Sequence, residues 1–260
     1  MARLCPLFSG SRGNSYYVGS RSAGVLVDAG RSARQLDNML KSCSIEPMAI
    51  QGILITHEHS DHVSGARVFA KKYQIPVFAS RGTIMALGEK LEGVKTYVIQ
   101  EDLNIADMQI HPFSTPHDCA EPLGYRIHTH DKRVITIATD MGYLPDKVRE
   151  GILGSDFVVL ESNHDEEMLK NGEYPYSLKR RILSQHGHLS NDLCAEFIVE
   201  LARNKTRRFL LAHLSDENNT HALAMRVSKS ALERAGFVDG EDFILDVALP
   251  ENTQGKSIVF

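Results

Sequence analysis

Short apolar runs alternate with longer amphipathic runs along the whole chain, without a repeat or a low-complexity segment. This alternation is typical of α/β folds, in which helices cover the faces of β-sheets. The apolar runs predict strands at Leu4–Phe8, Tyr16–Val18, Gly24–Asp28, Ile50–Thr56, Pro76–Ala79, Lys95–Ile99, Gln109–Pro112, Leu123–His128, Arg133–Thr139, Phe157–Ser162, Arg207–His213 and Phe243–Val247. The amphipathic runs predict helices at Ser32–Ser42, Asp61–Tyr73, Arg81–Gly88, Pro145–Leu153, Tyr176–Ser184, Asn191–Arg203 and Thr220–Ala235.

Several apolar strands lead into a histidine or an aspartate at their C-terminal ends. The run Ile50–Thr56 ends directly before His57, and the following strands lead toward His117, Asp140 and His213. Side chains at the ends of strands on a rigid sheet are where binding sites gather. We therefore expect these positions to belong to a functional site.

Composition narrows the class of protein without choosing a function. The 260 residues are 42% hydrophobic and 24% charged, as in ordinary globular enzymes. No apolar run approaches the roughly 20 residues of a membrane span, and the four cysteines are scattered, so we expect a cytoplasmic protein without a disulfide framework or a thiolate zinc site. The net charge of −4 leaves nucleic-acid binding to local basic patches.

The segment His57-Glu58-His59-Ser60-Asp61-His62 places four metal-competent side chains within six residues. Its two leading histidines leave a strand with like orientation, so their imidazoles can converge on one ion. Asp61 and His62 then fall in the first turn of the next helix, where they can face a neighbouring ion. The alternative interpretation is a polar strand-to-helix turn in which Asp61 caps the helix.

This motif after an apolar strand resembles the signature of the metallo-β-lactamase superfamily, and the resemblance spans nearly the whole chain. His117, Asp140 and His213 resemble the superfamily's later histidine, bridging aspartate and last histidine, in the expected order. The resemblance implies a four-layer αββα sandwich. It also implies a single domain over residues 1–260 with two pseudo-symmetric halves and a break near residues 115–125.

The resemblance implies a metal-dependent hydrolase with two divalent ions. The implied ligands are His57, His59 and His117 for one ion, Asp61, His62 and His213 for the other, and Asp140 as the bridge. Nitrogen and oxygen donors suit Zn²⁺, Mn²⁺ or Fe without choosing among them. In such a site a bridging hydroxide attacks the substrate, and Asp61 can also orient it.

Three further segments resemble the YycJ/WalJ group, whose members are associated with 5′-to-3′ DNA exonuclease activity. They are the Gly/Ser turn at residues 8–15, the box at residues 187–191 and the segment at residues 212–219. In that box His188 is the candidate for proton donation to the leaving oxygen, with His186 as a second candidate. Ser190 can bind a phosphate oxygen or can cap the following helix.

The leading hypothesis is therefore a phosphodiesterase that acts on DNA ends. Basic clusters at residues 71–72, 179–181 and 205–208 can follow a nucleic-acid backbone or can be solvated faces. The alternatives are a small-molecule hydrolase for cyclic phosphodiesters, lactones or thioesters, and a binding protein with a vestigial metal site. The sequence leaves open the metal, DNA against RNA, the polarity of digestion and the oligomeric state.

Overall fold

Residues 2–259 are described by a computed structural model, and their elements follow the predicted alternation. The strands are β1 (Arg3–Phe8), β2 (Ser15–Gly19), β3 (Gly24–Val27), β4 (Ile50–Leu54), β5 (Val77–Ala79), β6 (Thr96–Val98), β7 (Leu103–Ile105), β8 (Met108–Ser114), β9 (Leu123–His128), β10 (Val134–Ala138), β11 (Phe157–Glu161), β12 (Arg208–Ala212), β13 (Ile244–Val247) and β14 (Ile258–Val259). The α-helices are α1 (Ala33–Ser42), α2 (Ser60–Val63), α3 (Ala66–Tyr73), α4 (Arg81–Leu87), α5 (Asp146–Ile152), α6 (Glu166–Asn171), α7 (Tyr176–Ile182), α8 (Asn191–Arg203) and α9 (His221–Arg234). Short 3-10 helices lie at Pro47–Ala49 and Gly88–Leu91.

The twelve predicted strands are all present, and β9 and α8 have the predicted bounds. The strands β7 and β14 were not predicted, since they have only 3 and 2 residues and carry little periodic signal. Helix α6 was also missed, because it is 6 residues long and polar. In α8, Ile198 and Leu201 are fully buried, whereas Leu193 is 40% exposed.

The predicted single helix over 61–73 is wrong, because α2 and α3 are separate helices. The chain turns at Gly65, whose backbone N–H donates to the carbonyl oxygen of Ala29 at 2.9 Å. A Cβ atom at Gly65 would lie 1.8 Å from the carbonyl oxygen of Arg31. Glycine is therefore required for this close backbone approach.

Contacts between Cα atoms divide the chain into two units. Unit 1 consists of the described residues of Met1–Pro112, Cys119–Arg133 and Leu249–Phe260, and unit 2 of Phe113–Asp118 and Val134–Ala248. The single domain over 1–260 with a break near 115–125 stays a prediction, and its first and last residues lie outside the described ones.

Unit 1 contains a seven-stranded sheet in the order β14-β1-β2-β3-β4-β5-β6. Strands β1 to β3 pair antiparallel, whereas β3 to β6 pair parallel. The parallel part brings the C-terminal ends of β3 and β4 side by side, with Val27 opposite Leu54. Apolar residues of α1, α3 and this sheet form one buried cluster, which includes Leu36, Phe69 and Ile53. This cluster holds the loop after β4 on a rigid base.

In unit 2, β10, β11, β12 and β13 lie side by side in this order and are all parallel. Their C-terminal ends therefore meet at one edge, as is usual for sheets with helical connections. The buried cluster of this unit includes Val158, Phe197 and Leu211. The edge that collects the strand ends is where Asp140, Glu161 and His213 lie.

The described residues contain no helix that combines the length and the apolar character needed to cross a bilayer.

Candidate metal centre

The predicted metal motif lies in unit 1, between the end of β4 and helix α2. His59 is the N-cap residue of α2, so Asp61 and His62 occupy the first turn, as predicted. The ring of His57 lies 4.5 Å from the ring of His59 and 4.1 Å from that of His62, measured between centroids. Nε2 of His62 is 3.4 Å from Oδ2 of Asp61. The four side chains of the motif therefore form a single cluster.

A buried carboxylate, Asp28, holds this cluster from the neighbouring strand. Its Oδ1 accepts from the backbone N–H of Thr56 at 2.8 Å, and its Oδ2 lies 2.8 Å from Nδ1 of His62. The hydroxyl of Thr56 also lies between Asp28 at 2.9 Å and Nδ1 of His57 at 3.0 Å. Burial raises the pKa of Asp28, and the charge of His62 opposes this increase. Asp28 thus fixes both the backbone and the imidazole of the motif.

Asn14 was not singled out as a site residue, and it contacts the motif directly. Its side chain is fully buried, with Nδ2 3.1 Å from Nε2 of His62 and 3.4 Å from Oδ2 of Asp61. Its backbone N–H donates to the carbonyl oxygen of Asp61 at 2.7 Å. The sequence signal was the Gly/Ser turn that contains this residue, although most such turns only close a hairpin.

Unit 2 collects His117, Asp140 and His213 from the ends of β8, β10 and β12. Oδ1 of Asp140 lies 3.9 Å from Nε2 of His117 and 3.6 Å from Nε2 of His213. All three side chains are buried. Asp140 and His213 have positive φ angles of 60° and 54°, and Asp28 of unit 1 has 62°. Such left-handed backbone is uncommon outside glycine and recurs at functional sites.

Glu161, the last residue of β11, is the main site residue that sequence reasoning missed. It is fully buried, and its Oε1 lies 2.8 Å from Nδ1 of both His188 and His213. Its Oε2 accepts from the backbone N–H groups of Met141 at 2.9 Å and Leu189 at 3.2 Å. The available signal was a glutamate that ends an apolar strand, a feature too common to mark a site by itself.

The pKa of Glu161 reflects two opposing effects. Burial raises it, but the charge of His188 and the hydrogen bonds from His188 and His213 outweigh burial and lower the pKa to about 2. Glu161 is therefore an ionised carboxylate that accepts from two imidazoles at once. Together with Asp140 and the two histidines, it forms a group whose ligand atoms all lie within 4.8 Å of one another.

His117 is held in place by the chain around Gly187. Its Nδ1 lies 3.1 Å from the carbonyl oxygen of Gly187, and its Nε2 is 3.4 Å from Oδ1 of Asp118. Burial lowers the pKa of His117, although nearby carboxylates oppose this. Asp118 in turn forms a salt bridge with Arg181.

The two candidate histidines at the box, His188 within residues 187–191 and His186 just before it, lie in different environments. His188 lies 5.1 Å from the ring of His117 and 5.3 Å from that of His213, whereas the His186 side chain is exposed. Ser190 is buried and caps α8, since its Oγ accepts from the backbone N–H of Leu193 at 3.3 Å. Ser190 is thus the N-cap residue of α8, and its role in substrate binding stays a prediction.

The basic cluster at residues 179–181 is partly used inside unit 2. Nζ of Lys179 donates to the carbonyl oxygens of Lys170 and Gly172 at 2.8 and 2.7 Å, and Arg181 pairs with Asp118. His164 is a further buried histidine of this unit, since it is only 1% exposed and burial lowers its pKa to about 4.

The donor set fits divalent metal ions. In His57, His62, His117 and His213, Nδ1 faces a hydroxyl, a carboxylate or a carbonyl oxygen of the protein. A proton held at Nδ1 leaves the Nε2 lone pair to bind a metal, and carboxylate partners for ligating histidines are usual in metal sites. Nitrogen and carboxylate donors are typical ligands of zinc, manganese and iron.

The chain is similar to known proteins in sequence and to solved structures in fold. Residues 24–214 match the family model described as "Beta-lactamase superfamily domain". The chain is 39% identical over 242 residues to a protein of Bacillus anthracis named exodeoxyribonuclease YycJ, covering 91% of each chain. It is 36% identical to exodeoxyribonuclease WalJ of Streptococcus pneumoniae, over 91% of this chain and 90% of that one. The metallo-β-lactamase fold protein YhfI from Bacillus subtilis is structurally similar, with a TM-score of 0.74, 15% identity and coverage of 96% and 97%.

Proposed function

The chain belongs to the metallo-β-lactamase superfamily and to its YycJ/WalJ group, and from this premise we propose that it is a 5′-to-3′ exonuclease acting on DNA. It has the fold of that superfamily, with two mixed β-sheets flanked by helices. It is a metal-dependent hydrolase whose clustered histidines and carboxylates suit divalent ions. The proposal that DNA is the substrate rests on the similarity, over nine-tenths of the chain, to proteins named exodeoxyribonucleases.

We further propose that all seven candidate ligands bind two ions, which are zinc or manganese, with iron as a third possibility. The proposed ligands are His57, His59 and His117 for one ion, Asp61, His62 and His213 for the other, and Asp140 as the bridge. Support comes from the protein contacts at Nδ1 of His57, His117 and His213, which leave Nε2 for a metal. Nδ1 of His62 is likewise engaged by Asp28, while its Nε2 also faces the amide of Asn14. When bound, the cations would activate water and offset the charge that develops on a phosphate.

The residues of the chain have distinct tasks in this proposal. Asp61 orients the attacking water, since its carboxylate lies at the start of α2 beside His62. His188 donates a proton to the leaving oxygen from Nε2, because its Nδ1 is engaged by Glu161. Asp28 and Glu161 do not contact substrate; each is a positioning residue that keeps an imidazole in one tautomer and orientation.

Cleavage of end-labelled DNA tests the proposed function. Single-stranded DNA, duplex DNA and RNA of one sequence, labelled at either end, are incubated with chelated enzyme and with enzyme reloaded with Mn²⁺ or Zn²⁺. A His59→Ala variant is the matched inactive control, and His130→Ala replaces an exposed histidine. We expect metal-dependent, stepwise loss of nucleotides from the 5′ end of DNA, absent in His59→Ala.

Three other results of this experiment would contradict the proposed function. Faster digestion of RNA than of DNA would reassign the polymer, and loss from the 3′ end would reverse the polarity. An enzyme that cleaves no polymer but hydrolyses a cyclic phosphodiester, lactone or thioester would be the small-molecule hydrolase instead. The cytoplasmic location also stays a prediction, and fractionation of cells that express the protein would test it.

A further inference from the structure

The turn between β1 and β2, Ser9–Asn14, has a rigid internal structure. The backbone N–H of Gly10 donates to Oδ1 of Asn14 at 2.9 Å, and Nδ2 of Asn14 donates back to the carbonyl oxygen of Gly10 at 3.1 Å. The N–H of Gly13 also donates to that carbonyl oxygen at 3.0 Å. These three bonds close the turn, so the residues at its tip are held in a defined position.

The same turn is fixed to the metal motif through Asn14. Its backbone N–H binds the carbonyl oxygen of Asp61 at 2.7 Å, and its amide lies 3.1 Å from Nε2 of His62. Its own carbonyl oxygen accepts from the N–H of Gly30 at 2.9 Å. A Cβ atom at Gly30 would lie 1.7 Å from the carbonyl oxygen of Asp61, so the segments pack with no space between them. The backbone of the tip is therefore placed relative to Asp61.

The tip carries exposed Ser11 and Arg12 between buried neighbours. Arg12 is two residues from Asn14, so their Cα atoms are at most about 7.6 Å apart. A guanidinium presents a fixed fork of donors that matches phosphate oxygens. The position and chemistry of Arg12 thus suit a phosphate next to one held at the metal motif.

Two more arginines lie close to this turn. The side chain of Arg31 packs against Gly13, where an added Cβ atom would be 2.7 Å from its Cδ, and it pairs with Glu251 at 3.1 Å. Arg34 is exposed in the first turn of α1, which holds no acidic residue. Positive side chains at a helix N-terminus are electrostatically unfavourable unless an anion is near. The surface beside Asn14 therefore carries three arginines, of which Arg31 pairs with Glu251.

We propose that Arg12 binds a backbone phosphate of the DNA strand, adjacent to the phosphodiester that is cleaved. The proposal rests on the proposed exonuclease function for the identity of the strand. Arg12 sets the register of the substrate, since it holds one phosphate while the motif after β4 faces the next. Arg31 and Arg34 add long-range attraction and are not required to contact the same phosphate.

Substrate binding and turnover by Arg12→Ala and Arg12→Lys test this role. The matched control is Arg21→Ala, because Arg21 is exposed in the turn at the opposite end of β2. The affinity of metal-loaded enzyme for a cleavage-resistant phosphorothioate DNA is measured by fluorescence anisotropy at several salt concentrations. KM and kcat are measured with ordinary DNA that carries either a 5′-phosphate or a 5′-hydroxyl.

We expect Arg12→Ala to weaken binding about tenfold, as for loss of a charge-assisted contact. The effect falls mainly on KM, and the slope of log affinity against log salt falls by about 0.7–0.9. Arg12→Lys should retain the salt slope but bind more weakly than wild type, because it lacks the fork. Arg21→Ala should match the wild type in affinity, slope and turnover.

Three outcomes would overturn the proposal. One is an unchanged salt slope and KM in Arg12→Ala, and another is an equal loss in Arg21→Ala. The third is an effect confined to 5′-phosphorylated DNA, which would assign Arg12 to the terminal phosphate. Failure of the proposed exonuclease function can be distinguished from these outcomes. A wild-type enzyme that binds DNA through Arg12 but does not shorten it would support the role of Arg12 and reject the exonuclease activity.

Discussion

The two units hold their candidate ligands in different ways. In unit 1, four ligands come from one run of six residues, whose order along the chain already brings them together. In unit 2, His117, Asp140 and His213 come from the ends of separate strands, and parallel pairing of β10, β11 and β12 brings the last two together. A contiguous motif can be read from a sequence, whereas a set of strand ends needs the sheet.

Each unit nevertheless uses one buried carboxylate from an adjacent strand. Asp28 follows β3, which pairs with β4, and it engages one imidazole and one threonine. Glu161 ends β11, which lies between the strands that carry Asp140 and His213, and it engages two imidazoles. We therefore expect unit 2 to depend more on its carboxylate than unit 1 does.

Replacing the proposed bridging ligand should have the largest effect. Asp140→Ala removes a carboxylate that lies near three histidines. Loss of a residue that only supports the ligands lowers activity by up to about 100-fold, so we expect the loss of a ligand itself to exceed about 100-fold. Metal content by mass spectrometry should fall in parallel. The control is Asp146→Ala, an exposed aspartate on α5. Near-wild-type turnover in Asp140→Ala would reject the proposed ligand set.

Glu161→Gln should come next, with a loss of about 10–100-fold in activity or metal affinity. The amide keeps the size of the side chain but removes the charge that both His188 and His213 face. Titration with Mn²⁺ followed by calorimetry measures the affinity, and turnover is measured at saturating metal. Glu167→Gln, an exposed residue of α6, should behave as wild type. Equal behaviour of the two variants would show that Glu161 is not a positioning residue.

Asp28→Asn sharpens the comparison between the units, because we expect activity or metal affinity to fall less than in Glu161→Gln, by about tenfold. Asparagine tolerates the positive φ of this position, so the backbone conformation is kept. The substitution removes only the negative charge that faces His62 and Thr56. The control is Asp37→Asn, a buried carboxylate of α1 that binds Tyr73 and Lys72 and does not touch the motif. If Asp28→Asn lowers metal affinity more than Glu161→Gln does, the two units do not differ as described.

The smallest expected effect belongs to Ser190. Ser190→Ala removes the N-cap of α8 and should lower the free energy of unfolding by about 1 kcal/mol. Thr220→Ala removes the equivalent cap of α9 and should cost a similar amount. Urea denaturation compares the two, and DNA turnover is measured on both folded variants. A loss of turnover only in Ser190→Ala would give Ser190 a substrate role besides the cap.

Local patterns determined much of the fold. The strand Leu123–His128 and the helix Asn191–Arg203 have the predicted bounds, because their apolar periodicity is continuous and, in the helix, a capping residue marks the start. The break of the predicted helix over 61–73 depended on a backbone contact between Gly65 and the distant turn after β3. Periodicity cannot detect such a contact, since it reports only neighbours along the chain.

The sequence by itself determined the metal motif and the family, because the spacing of His57, His59, Asp61 and His62 is a local property of six residues. Only the tertiary structure decided which residues support the candidate ligands. Asn14, Asp28 and Glu161 carry no distinctive spacing, and they reach the ligands through strand pairing and a turn that packs without space against Asp61. Buried polar side chains require partners, and the fold alone brings those partners within hydrogen-bond distance.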